Sequence, residues 1–210
     1  MSFPVPARTH DLISRWWYTV QDAVQNLWRR CNPAEGTAHD TGSDMAAPRL
    51  PRIEAGAISL TLSIFEALVR RMLVIMCAEY GPMVPPPEGG RLLFCLDECL
   101  PVPVIRAPRA GDPDYCLKAP AAGVPMPAYR MVDGLMSSAP LLKRIAALIH
   151  VFEHGELYLQ AMSARLLAPP KPLLAPQPKA FLDPTLDPEK ADNMQYLHGI
   201  ALDAQSHDSS

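Results

Sequence analysis

Apolar residues recur at helical spacing in four stretches, and the most regular is 9–31. At 100° per residue, Leu12, Ile13, Trp16, Trp17, Val20, Val24, Leu27 and Trp28 fall within an arc of about 160°. Asp11, Ser14, Arg15, Gln21, Asp22, Gln25, Asn26 and Arg29 fall on the other side. Thr9 predicts an N-cap and Asp11 suits the first turn, where a carboxylate meets the positive end of the helix. Arg29 and Arg30 suit the last turn, and Asn32-Pro33 ends the helix. All three tryptophans of the chain lie on this apolar face.

The segment 57–80 is apolar nearly all round. Ser59, Ser63, Glu66, Arg70 and Cys77 share one narrow stripe, Arg71 stands apart, and Gly81-Pro82 ends the helix. Such a helix is buried, in a protein core or in lipid. The run 57–78 has the length to span a bilayer. Its middle, however, holds Glu66, Arg70 and Arg71. A mid-bilayer charge costs about 2.5 to 3.5 kcal/mol, whereas each Leu, Ile, Phe or Val returns only about 0.3 to 0.6 kcal/mol. A protein core is the better expectation.

A third helix is predicted over 139–167, capped by Ser137 or Ser138 with Pro140 in its first turn. Leu141, Leu142, Ile145, Leu148, Ile149, Phe152, Leu159, Leu166 and Leu167 form its apolar face. Gly155 costs about 1 kcal/mol relative to Ala inside a helix and marks a kink or a close approach. Asp187-Pro188 then reads as an N-cap and first turn, opening a short helix over 188–203 with Met194, Leu197 and Ala201 on one side.

Between these lie weaker patterns. Residues 32–55 read as a flexible linker, with Gly36, Gly42, Pro48 and Pro51 among small and polar residues. Eleven prolines interrupt 82–138. The only strand-like runs there are Arg91–Leu96 and Val102–Arg106, which suggests an irregular wrap with a short hairpin. Residues 168–186 are proline-rich and extended in expectation, with P-x-x-P spacing at Pro169–Pro172.

Composition narrows the class. Twenty-four prolines in 210 residues are roughly twice the usual share. A net charge of −3 offers no global basic field for nucleic acid. The charge is uneven: 141–180 carry five Lys/Arg against two Asp/Glu, and 181–210 one Lys against six. The tail therefore reads as acidic. Five scattered cysteines and no export signal point to reduced thiols in the cytoplasm.

Few residues suggest chemistry. His150-Val151-Phe152-Glu153-His154 has the H-x-x-E-H order of inverted zinc peptidases, with both imidazoles on one side of a helix and Glu153 as the base. The competing reading is a solvated face, since both histidines fall beside Lys143 and Arg165 and no third ligand is evident. Cys95 and Cys99, with Cys116, are a second metal candidate, against a reading as small apolar side chains. Antiparallel packing of 57–80 on 139–167 would pair Arg70, flanked by Glu66, with Glu156 in a semi-buried ion pair that sets register. No phosphate-binding loop or nucleophile elbow occurs.

The expected fold is mainly α, a small irregular bundle of three to four helices with a proline-rich insertion. Its parts are the amphipathic helix (1–31), the linker (32–55), the core (56–168, with the irregular 82–138) and the acidic tail (169–210). The expected function is a non-enzymatic interaction or adaptor module that self-associates or binds a protein partner. Leu12, Ile13, Trp16, Trp17, Val20, Val24, Leu27 and Trp28 are its expected interaction surface, packing in cis within the chain or against another subunit or partner. The alternatives are peripheral attachment of 9–31 to a membrane surface, and a metal-dependent enzyme on His150, Glu153 and His154. No cofactor, nucleic acid or small-molecule substrate is implied.

Overall fold

A computed structural model describes residues 3–32, 48–81, 83–84, 91–98, 135–167, 173–176, 178, 181 and 186–207. The fold is mainly helical. The elements are α1 (Ala7–Cys31), β1 (Arg49–Pro51), α2 (Arg52–Tyr80), β2 (Leu135–Ser137), α3 (Ala139–Glu153), α4 (Gly155–Leu166) and α5 (Pro188–His207). The second strand-like run, 102–106, and the P-x-x-P run lie outside the described residues, as do Cys99 and Cys116.

Helix α2 is the axis of the bundle, and α1, α3, α4 and α5 all pack on it. Its wide apolar surface explains this: Leu62, Leu68, Val69, Met72, Leu73, Val74, Ile75 and Ala78 are wholly removed from solvent. Full burial of such an aliphatic side chain contributes about 1.5 to 3 kcal/mol. Among the described residues no helix is long and apolar enough to cross a membrane. The helix begins at Arg52, five residues before the predicted start, so Arg52–Ala55 belong to α2 and not to a linker. Arg49–Pro51, also assigned to the linker, form β1. Gly81 ends α2 with φ of 74° and donates its N–H to the Cys77 carbonyl.

Helix α1 lies against α3 and α2. Of the packings expected for its apolar face, the structure shows the one in cis. Leu12, Ile13, Trp16, Val20 and Val24 are buried, and Trp17, Leu27 and Trp28 pack half-buried against the same core. Trp17 meets Phe152 of α3 edge-on, with ring centroids 4.9 Å apart. The reason is supply: α3 and α2 offer a complementary apolar face within the chain itself. Thr9 is not the cap. The helix starts two residues earlier, and the buried Thr9 hydroxyl lies 3.2 Å from the Tyr196 hydroxyl of α5. Arg30 in the last turn of α1 pairs with Glu54 in the first turn of α2, 2.6 Å apart.

The predicted third helix is two. His154 leaves helical geometry (φ −126°, ψ 41°), separating α3 from α4. This break lets α3 face α1 while α4 faces α2. Strand β1 pairs antiparallel with β2, Leu50 opposite Met136 and Pro51 opposite Leu135. Helix α5 runs four residues beyond the predicted end and is no satellite: Met194, Leu197, Ala201 and Ala204 are buried in the shared core.

Candidate functional site

The polar stripe of α2 is answered from α3, not from α4. Arg144 grips Glu66 with both ends of its guanidinium, Nε to Oε1 at 2.7 Å and Nη2 to Oε2 at 3.1 Å. The same group donates to the hydroxyls of Ser59 and Ser63, each at 2.9 Å. The expected ion pair with Glu156 is therefore corrected. Glu156 stands in the first turn of α4, where the break at His154 leaves it exposed.

Arg70 takes another partner. An extended strap, residues 91–98, crosses the helices with Phe94 and Leu96 turned into the core. Arg70 Nε donates to the Cys95 carbonyl at 2.9 Å, and its guanidinium lies over the Phe94 ring, 4.8 Å from the centroid. Among the described residues its Nη amines meet no acceptor. Burial pushes the Arg70 guanidinium below its ordinary pKa, with Glu66 and Glu98 opposing.

Between the strap, α2 and α3 opens a pocket of about 360 Å³. Among the described residues, Arg70, Lys143 and Arg144 line it against one carboxylate, Glu66. Since Arg144 and Glu66 neutralise each other, Arg70 and Lys143 give the pocket its field. Cys95 is exposed at its rim.

At the next turn of α3, His150 Nδ1 lies 2.7 Å from the hydroxyl of the fully buried Tyr158. That hydroxyl also accepts from the backbone N–H groups of Leu93 and Phe94, at 3.1 and 3.2 Å. Burial lowers the His150 pKa, His154 lowers it further and Glu153 opposes. Burial raises the Tyr158 pKa against the two backbone donors.

Of the three residues in the H-x-x-E-H run, His150 and His154 stand with ring centroids 4.4 Å apart, and Glu153 is exposed. Among the described residues no group of three or more His, Cys, Asp or Glu side chains could hold a metal ion. The helix ends within the run, at Glu153.

A second cleft, about 540 Å³, lies between α1, α2 and the start of α5. Its floor includes Trp16, Phe65 and Met194, and its rim balances Arg15 and Lys190 against Asp187 and Glu189. Balanced charge selects no ligand class, so the basic pocket is the stronger site. Lys143, Arg144, Phe94 and Tyr158 escaped the sequence-based expectation. One signal was present: Tyr158 follows His150 and His154 at successive four-residue steps. The chain matches no family model, no curated protein and no solved structure.

Proposed function

We propose that the chain is a non-enzymatic helical binding module whose basic pocket receives carboxylates from an acidic segment of a protein partner. One observation carries this reading. Arg70 is held between the Cys95 carbonyl and the Phe94 ring, while its two Nη amines meet no acceptor among the described residues. An arginine preorganised in this way presents a fork that matches a carboxylate. Lys143 adds a second, more mobile positive charge at the same mouth.

Titration of the full chain with an oligoglutamate peptide tests the reading. Arg70→Gln weakens binding about tenfold, equivalent to about 1.4 kcal/mol, and Lys143→Gln about threefold, the range of an exposed pair. Affinity falls as salt is raised. Equal affinity of both variants and the parent chain removes the proposal.

A second reading, self-association, has one observation in its favour. Ile53, Leu135 and Met136, all near the two-stranded ladder, are 90%, 54% and 49% exposed. Light scattering at high concentration decides it, and a monomer there removes it.

A further inference from the structure

His198 of α5 sits between two groups whose hydrogen-bonding roles are fixed. A guanidinium can only donate, so Nδ1, 3.0 Å from Arg71 Nε, is an acceptor. A backbone carbonyl can only accept, so Nε2, 2.9 Å from the Pro176 oxygen, carries the hydrogen. The neutral Nε2–H imidazole is the one form that satisfies both. A second proton would go to Nδ1 and point at the Arg71 N–H, donor against donor and cation against cation. Arg71 has nowhere to retreat. It is wholly buried, and its Nη groups donate to the Ala67 carbonyl at 2.7 Å and to the two Glu98 oxygens at 3.3 and 2.9 Å. The imidazole is therefore the partner that moves, and α5 moves with it.

The two halves of α5 are held unequally. In the first, Met194 and Leu197 are buried, and Asn193 and Tyr196 meet Arg8 and Thr9 of α1. In the second, the buried apolar side chains are two alanines, Ala201 and Ala204, with Ile200 and Leu202 half-buried beside them. With so little apolar area the polar contacts carry more of the hold. They are the two bonds of His198 and those of Gln205, whose Oε1 accepts from the Leu173 and Leu174 N–H groups at 3.0 and 3.1 Å.

We propose that His198 is a proton-operated latch on the second half of α5, residues 198–207. Neutral, it fastens this half to α2; a proton on Nδ1 releases it while the rest of the bundle stays folded. Among the described residues, two charged groups face the imidazole, Arg71 from α2 and Glu98 from the strap. Burial disfavours the charged imidazole most, and Arg71 adds to this, while the Pro176 carbonyl and Glu98 favour it. Glu98 is already committed to Arg71 and to the Ala175 N–H, 2.7 Å away. Phe181 presents only its ring, with centroids 6.3 Å apart. The latch stands apart from the basic pocket and does not depend on its ligand.

Two measurements on the full chain test this. The first is the His198 tautomer, read by long-range nitrogen–proton NMR near neutral pH, where Nε2–H is expected. The second is residue-resolved amide exchange, corrected for the intrinsic effect of pH. An opening that frees one histidine of ordinary pKa, about 6.5, grows by at most about tenfold between about pH 7.5 and 5.5. The amides of 198–207 should lose protection by about threefold to tenfold over that range. At the acid end they should exchange through an opening that leaves residues 68–75 of α2 protected. In His198→Asn, whose Oδ1 keeps an acceptor for Arg71 and takes up no proton, the protection of 198–207 should stay flat.

An Nδ1–H tautomer in the parent chain overturns the arrangement on which the latch is built. Protection of 198–207 equal to that of 68–75 at the acid end means that this half leaves only when the whole fold does, and overturns the release. Protection that falls equally in the parent chain and in His198→Asn assigns the effect to another group, and protection that falls in neither removes the effect; both overturn the latch. The tautomer and the comparison with α2 need only the parent chain, so they decide the matter even where His198→Asn does not fold.

Discussion

At the scale of single residues, the polar groups inside this bundle differ in how well they are satisfied. Ser138 occupies the N-cap position of α3, yet its hydroxyl makes no capping bond and is buried with no partner among the described residues. Replacing a cap serine by alanine ordinarily costs about 1 kcal/mol. Here the removed hydroxyl is an unsatisfied buried group, so Ser138→Ala is expected to be neutral or to stabilise by up to about 1 kcal/mol. Urea denaturation checks it, and a loss as large as a cap's would contradict the geometry. His198 is the opposite case. Its Nδ1 accepts from Arg71 Nε at 3.0 Å and its Nε2–H donates to the Pro176 carbonyl at 2.9 Å. Burial lowers its pKa; the Pro176 carbonyl opposes, while the Arg71 charge adds. With the folded pKa depressed, the unfolded chain binds more protons between the two values. The contribution of His198 to stability is thus complete above about pH 6.5 and declines as the pH falls below it. His150 shifts in the same direction. Stability measured from about pH 7.5 down to 5.5 should fall, and His198→Asn should flatten that slope more than His150→Gln. A slope unchanged in His198→Asn would exclude His198 as the source.

At the scale of elements, the two glycines at helix boundaries do different things. Gly81 carries a φ of 74°, a region that L side chains rarely adopt. Gly81→Ala should destabilise by about 1 to 3 kcal/mol. Gly155 lies at the start of α4 without a positive φ, and a Cβ there meets only Trp17 Cζ2, at 3.9 Å. Gly155→Ala should therefore be neutral, or stabilise by up to about 1 kcal/mol, because the unfolded chain loses freedom. Thermal melts of the pair separate the two roles. The boundaries also show what the sequence revealed. Helix periods and stop signals such as Asn32 and Gly81 were legible because they act within one turn. The break at His154 was only half legible: Gly155 marked the place, but periodicity alone ran through it. The direction of α4 depends on α2 offering a second apolar side, which is a tertiary fact. The early start of α2 was hidden because Arg52–Ala55 lack apolar periodicity and are held from outside, by Arg30 on Glu54.

At the scale of the whole molecule, the basic pocket could not be read from one segment, since its charges come from α2 and α3 and its wall from the strap. The stripe Ser59, Ser63, Glu66 was visible; its partner Arg144 was not, because sequence spacing fixes faces and not which helix meets them. The same holds for Arg71, which stood apart in the pattern and proves to be the junction of the fold. It is fully buried. Its guanidinium donates to Glu98 at 2.9 and 3.3 Å, to the Ala67 carbonyl at 2.7 Å and to His198 at 3.0 Å, and it lies over Phe181 at 4.9 Å. Glu98 in turn accepts from the Ala175 N–H at 2.7 Å. One side chain thus ties α2 to the strap, to the 173–176 segment and to α5. A buried pair of this kind adds little over apolar packing, but breaking one half strands the other charge, at about 3 to 5 kcal/mol. Arg71→Met should therefore destabilise by that order, and Arg71→Lys should fare little better because a lysine has no fork to span Glu98 and His198. The double variant Arg71→Met/Glu98→Gln removes both charges and should be more stable than Arg71→Met alone. The coupling from a denaturant double-mutant cycle should lie within about 0.5 to 3 kcal/mol, the range of residues in direct contact. Additive losses would mean that Arg71 and Glu98 contribute separately.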